Sequence, residues 1–145
     1  MEPLANQITA AITLMRQTCS TSNLAEPLEC LTRIHDMNQL ILSIVERLYP
    51  AGGQYQQIWP YHTISFLEEA KRFVRLSTRD LNAVRSQPDN PELIADYLST
   101  SLATLNRLAT ISEELNIWNR NDIEFTTEYL ENYRDRFLEA YGLSR

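Results

Sequence analysis

A chain of 145 residues with 43% hydrophobic and 22% charged side chains falls in the normal range for one globular domain, and residues 1–145 read as one. Its net charge of −6, with twelve arginines and a single lysine on the positive side, argues against general nucleic-acid binding, which leaves a basic footprint. No apolar run approaches the ~20 residues that span a bilayer. The first basic residue, Arg16, comes too late for a secretory or mitochondrial leader, so a cytoplasmic address is expected.

Only three glycines occur, Gly52, Gly53 and Gly142, and long stretches without glycine favour long helices. The first predicted helix runs from about residue 3 to 19, with Leu4, Ile8, Ala11, Ile12, Met15 and Cys19 on one face. Asn23 or a neighbour is expected to cap a second helix over about 24–49, whose early Pro27 is tolerable in a first turn. Its apolar residues form two stripes, one with Leu24, Leu28, Leu31, Leu42 and Val45 and another with Ile34, Met37, Ile41, Ile44 and Leu48, as expected of a central helix. A third helix is expected over about 63–85, with Ser65 and Glu68 at capping-box spacing. Asn90-Pro91-Glu92 combines a cap, a first-turn proline and an acid against the macrodipole, starting a fourth helix to about 117. Residues 118–122 read as a polar break. A fifth helix over about 123–141 is expected to end on a left-handed Gly142 with Leu143 folding back. The fold class is all-α, an antiparallel bundle of four long helices plus one shorter N-terminal helix.

The sequence names no reaction. It contains no Glu-x-x-His pair of the di-iron bundles, no His-Glu-x-x-His, no phosphate loop and no Gly-x-Ser-x-Gly elbow, so no catalytic residue, metal ligand or cofactor is assigned. Cys19 and Cys30 lack the close spacing of a zinc or redox motif and are expected to be reduced, partly buried thiols. His35 shares a seam with Leu28, Leu31 and Leu42 and reads as a core histidine satisfied by Asn38 or a backbone carbonyl. A phosphorelay role would want lysine and glycine downstream, whereas Asp36, Met37, Asn38 and Gln39 follow.

Three features are left for recognition. The segment 49–62 carries Tyr49, Tyr55, Trp59, Tyr61 and His62 in a connection that could be short and polar; such rings serve as binding anchors or plug the bundle end. Lys71, Arg72, Arg75 and Arg79 form a basic stripe, read either as a docking surface for an acidic partner or as a solvated face in which Glu68 pairs with Arg72. Residues 61–87 hold five basic and three acidic side chains against four and eight in 111–145, so the molecule is expected to be polarised. Phe125, Tyr129, Tyr133, Phe137 and Tyr141 recur every fourth position, a spacing that drifts around the helix and leaves Phe125 and Tyr129 as candidate interface residues. The leading expectation is a non-enzymatic module (adaptor, inhibitor, assembly chaperone or complex subunit) binding a protein partner, or a further copy of itself, through a bundle face and the aromatic loop. The alternative is a small-ligand or phosphate-binding bundle, enzymatic in one version, with its pocket near Trp59 and His62.

Overall fold

The computed structural model describes residues 4–47 and 61–143, all-α with five helices and no strand among those residues. The helices are α1 (Leu4–Thr21), α2 (Leu28–Arg47), α3 (Tyr61–Ser86), α4 (Pro91–Glu114) and α5 (Arg120–Ala140). None of them is long and apolar enough to cross a membrane.

Ile8, Ile12, Met15 and Cys19 recur at helical spacing along α1 and are all buried. Each side chain of this size, fully buried, contributes roughly 1.5–3 kcal/mol, enough for packing to fix a helix without strong caps. Helix α2 buries residues around much of its circumference, including Cys30, Leu31, Ile34, Met37, Ile41, Ile44 and Val45. It touches α1, α3 and α4, while α4 touches α2, α3 and α5, so these two form the centre. Cross-links between α3 and α4 pair Asp80 with Thr100, Glu69 with Arg107 and Thr63 with Glu114, in opposite sequence order; the two helices run antiparallel.

Several local expectations change. Helix α2 starts at Leu28, not near residue 24, because Pro27 cannot sit where an intrahelical N–H is needed; its carbonyl instead accepts from Leu31 N–H. Asn23 does not cap α2 but turns the chain ahead of it, accepting from Ala25 N–H at 2.9 Å. Leu28 lies at the surface rather than on the core stripe. Helix α3 begins at Tyr61, which puts Ser65 and Glu68 inside the helix and leaves no end there for them to cap.

At α4 the start is as expected: Asn90 Oδ1 accepts from Glu92 N–H, with Pro91 in the first turn. The end comes earlier, at Glu114. Asn116 takes a left-handed φ of 56°, with its N–H bonded to Glu113 O and that of Ile117 to Ser112 O, a Schellman stop built on asparagine instead of glycine. The chain then reverses within a few residues, and Asn119 caps α5 by accepting from Asn121 N–H. Trp118, read as part of a polar break, is 3% exposed and belongs to the core. Helix α5 ends on Gly142 at φ 65°, with Leu143 N–H reaching back to Leu138 O at 2.9 Å.

The two cysteines are also corrected. Cys19 and Cys30 form a disulfide with Cα atoms 4.8 Å apart, tying the end of α1 to the start of α2. Both face the core from helices that meet there, an encounter that spacing of eleven residues in sequence does not announce.

Candidate functional site

The expected recognition residues fall in different places. Tyr49, Tyr55 and Trp59 lie outside the described residues, and the fate of the aromatic loop is carried only by its last two members. Tyr61 opens α3 and is 86% exposed. His62, beside it, turns to α4: its Nε2 lies 2.6 Å from Glu114 Oε1, while the Thr63 hydroxyl donates to Oε2 of the same carboxylate. Glu114 closes α4 and lies at the first turn of α3, where the helix N-terminus favours a negative charge. Desolvation works to raise the Glu114 pKa, but the hydrogen bonds from Thr63 and His62 and the His62 charge together hold it below the usual carboxylate range. Phe66 meets the His62 ring edge-on, and Arg107 stacks on Phe66 at 4.5 Å while pairing with Glu69 at 2.7 Å. His62 is thus held by α4 through Glu114, a partner no local spacing pointed to.

The basic stripe is solvated. Arg72, Arg75 and Arg79 are exposed at one-turn spacing. Arg72 lies over the ring of its neighbour Phe73, and Arg79 pairs with Asp80 at 3.2 Å. Glu68 pairs with Lys71 at 3.7 Å rather than with Arg72. Exposed pairs of this kind contribute little to stability.

On α5 the aromatic ladder winds from surface to core and out again. Phe125 is 50% exposed, Tyr129 is half-buried, Tyr133 and Phe137 are buried, and Tyr141 is back at the surface. Tyr129 and Tyr141 spend their hydroxyls on the first helix and its exit, bonding Arg16 O at 3.2 Å and Leu24 O at 3.0 Å. Arg16 lies over Phe125 at 4.3 Å. Polar tips and one guanidinium therefore bridge α1 to α5.

Inside the molecule, where α2, α3 and α4 meet, sits a buried polar network. His35, 7% exposed, does not pair with Asn38 as expected but with α3, its Nδ1 3.2 Å from Ser77 Oγ and its Nε2 3.2 Å from Thr78 Oγ1. Thr78 already donates its proton to Val74 O, so it accepts from Nε2–H, and Nδ1 accepts from Ser77. Asn38 donates instead to Ser101 O at 3.2 Å, and its Oδ1 has no partner. Burial lowers the His35 pKa, against the pull of Asp36 and with that of Arg85. Neutral, hydrogen-bonded on both ring nitrogens and enclosed, His35 serves to register α2 on α3.

No protein-family model, no curated protein and no solved structure matches this chain. Function therefore rests on these surfaces alone.

Proposed function

We propose that the protein is a non-enzymatic interaction module, an antiparallel bundle with α1 as its added N-terminal helix, holding a protein partner at the end where α3 begins and along the flank of α5. The observation that supports this most is Tyr61. A tyrosine is a large amphipathic anchor whose placement in full solvent gains the fold nothing, and this one, 86% exposed, directly follows the aromatic segment 49–60 in sequence. The half-exposed Phe125 on α5 extends the same logic to a second surface, and the exposed arginines of α3 favour an acidic partner.

The test compares the wild type with Tyr61→Ala as immobilised baits, quantifying recovered proteins, including untagged copies of the chain itself. The substitution removes a side chain with almost no burial, so the thermal midpoint is expected to stay put while the yield of a specific partner falls. A partner recovered equally well by both baits would remove Tyr61 from the interface, and no reproducible partner at all would count against the module reading.

The cytoplasmic address is kept as a proposal, and the Cys19–Cys30 bond weighs against it. Disulfides persist in oxidising compartments and are uncommon where thiol reductants dominate.

A further inference from the structure

Charged stripes of opposite sign run along α3 and α5. On α3, Arg72, Arg75 and Arg79 are exposed at spacings of three and four residues. At 100° per residue they stay within about 60° of one another and span about 10 Å of helix. On α5, Glu124, Glu128, Glu131, Asp135 and Glu139 follow at spacings of four, three, four and four. They stay within about 80° and span about 22 Å. Glu124, Glu128 and Glu139 are exposed, and Glu131 and Asp135 are half-buried. Some of this charge is already matched nearby, Arg79 by Asp80, Glu124 by Arg120 and Asp135 by Arg134. Arg72, Arg75, Glu128 and Glu131 make no ion pair among the described residues.

We propose that each stripe docks on the other stripe of a second copy of this chain, so that copies associate with α3 of one against α5 of the next. Within one chain the stripes do not neutralise each other: α3 and α5 both pack on α4, share no comparable contact, and leave these arginines and the Glu128 carboxylate in solvent. Between chains the spacing matches. Arg72 and Arg75 are three residues apart, as are Glu128 and Glu131, so the four unmatched charges pair whether the two helices run parallel or antiparallel. Arg79 then falls at Asp135 in the parallel arrangement and at Glu124 in the antiparallel one. A two-fold contact centred on one stripe alone would lay like charge on like, so the contact joins unlike surfaces. The net charge of −6 opposes any other meeting of copies at long range. A different acidic protein would answer the arginines alone, whereas a second copy answers both stripes at once. Exposed charge pairs are individually weak, so the association is salt-sensitive and concentration-dependent. The inference rests on the interaction-module reading and names the acidic partner of its α3 arginines; Tyr61 takes no part in it.

Sedimentation equilibrium of the full chain over a range of concentrations measures its weight-average mass. In about 0.1 M salt, where charges are screened beyond ~10 Å, the mass is expected to rise with concentration, and in about 1 M, where screening sets in at ~3 Å, to return to that of the monomer. Arg72→Glu with Arg75→Glu is expected to weaken self-association about tenfold at the lower salt, and Glu128→Lys with Glu131→Lys by as much. Each reversal to lysine adds two charges, so the second variant moves from −6 to −2. General repulsion between copies therefore falls in it, and its loss of association reports the stripe itself. An equimolar mixture of the two variants is expected to associate again, because the acidic α3 of one meets the basic α5 of the other. Unchanged thermal midpoints verify folding, and Glu128→Lys alone, at an exposed position, carries the α5 arm should the half-buried Glu131 not tolerate lysine. A wild type that stays monomeric at the lower salt would overturn the proposal. So would association that persists at the higher salt or in both variants, or a mixture that stays dissociated. Tyr61→Ala keeps both stripes and is expected to self-associate as the wild type does, which separates a failure here from a failure of the partner site at Tyr61.

Discussion

Tyr97, fully buried on α4, donates its hydroxyl proton to the backbone carbonyl of Leu31 on α2 across 2.5 Å. This bond joins the two central helices at the polar network that also contains His35, Ser77 and Ser101. Burial raises the Tyr97 phenol pKa well above its usual value, so the group stays a neutral donor. Tyr97→Phe keeps the ring and removes only the oxygen, leaving Leu31 O with its helical bond alone. The expected cost is about 1–2 kcal/mol, read from the urea midpoint with an unchanged m-value. An unchanged midpoint would mean that the ring, and not its hydroxyl, holds α4 to α2.

His35 makes stability depend on pH. Its folded pKa lies below the unfolded value of 6.5, chiefly through desolvation. As pH falls past that unfolded value, the unfolded chain takes up a proton that the native state resists, so stability is full above it and declines below. A protonated ring would also need Ser77 to turn from donor to acceptor. Glu114 acts in the same sense, its stabilisation being lost on acidification, but in a window starting near its ordinary value of 4.5. Thermal midpoints between pH 7.5 and 5 should therefore fall in the wild type and flatten in His35→Gln, whose lower starting stability does not affect the slope. A slope that survives the substitution would assign the dependence to another group.

What could be read from the residues alone follows a physical division. The start of α4 at Asn90-Pro91 and the stop of α5 at Gly142 were legible because caps are local, needing only residues a turn apart. Asn116 was not, since asparagine adopts the left-handed conformation only when context favours it, and the apolar Ile117 and Trp118 beyond it continued the helical pattern. The burial of His35 was legible from its seam, but its partners lie 42 and 43 residues away on α3, where only tertiary packing brings them. The stacking of Arg16 on Phe125 escaped notice for the same reason: neither residue is unusual in its own helix, and their contact arises only where α1 and α5 face each other.

The Cys19–Cys30 bond sets the last prediction, because it decides how firmly α1 is held. The bridge closes a loop across eleven positions, which contains the end of α1, the Asn23 turn and Pro27. Restricting such a loop in the unfolded chain is worth about 3 kcal/mol in the chain-entropy treatment. Both sulfurs are enclosed, Cys19 being 3% exposed and Cys30 fully buried, so reductant reaches them only when α1 lifts away from α2. Native protein should accordingly resist mild reductant, whereas protein in moderate urea with reductant should unfold at a lower midpoint than its oxidised counterpart. The Cys19→Ser, Cys30→Ser double variant should fall by more than the bridge alone, since each hydroxyl would enter an apolar site. Cys19→Ala with Cys30→Ala separates the two effects, and a midpoint equal to the wild type would show that packing of Ile8, Ile12 and Met15 holds α1 without the bridge. Alkylation of freshly extracted protein under denaturing conditions, before and after reduction, measures how much of the chain carries the bond in its own compartment. Full alkylation without reduction would favour the cytoplasmic address, and protection until reduction an oxidising one.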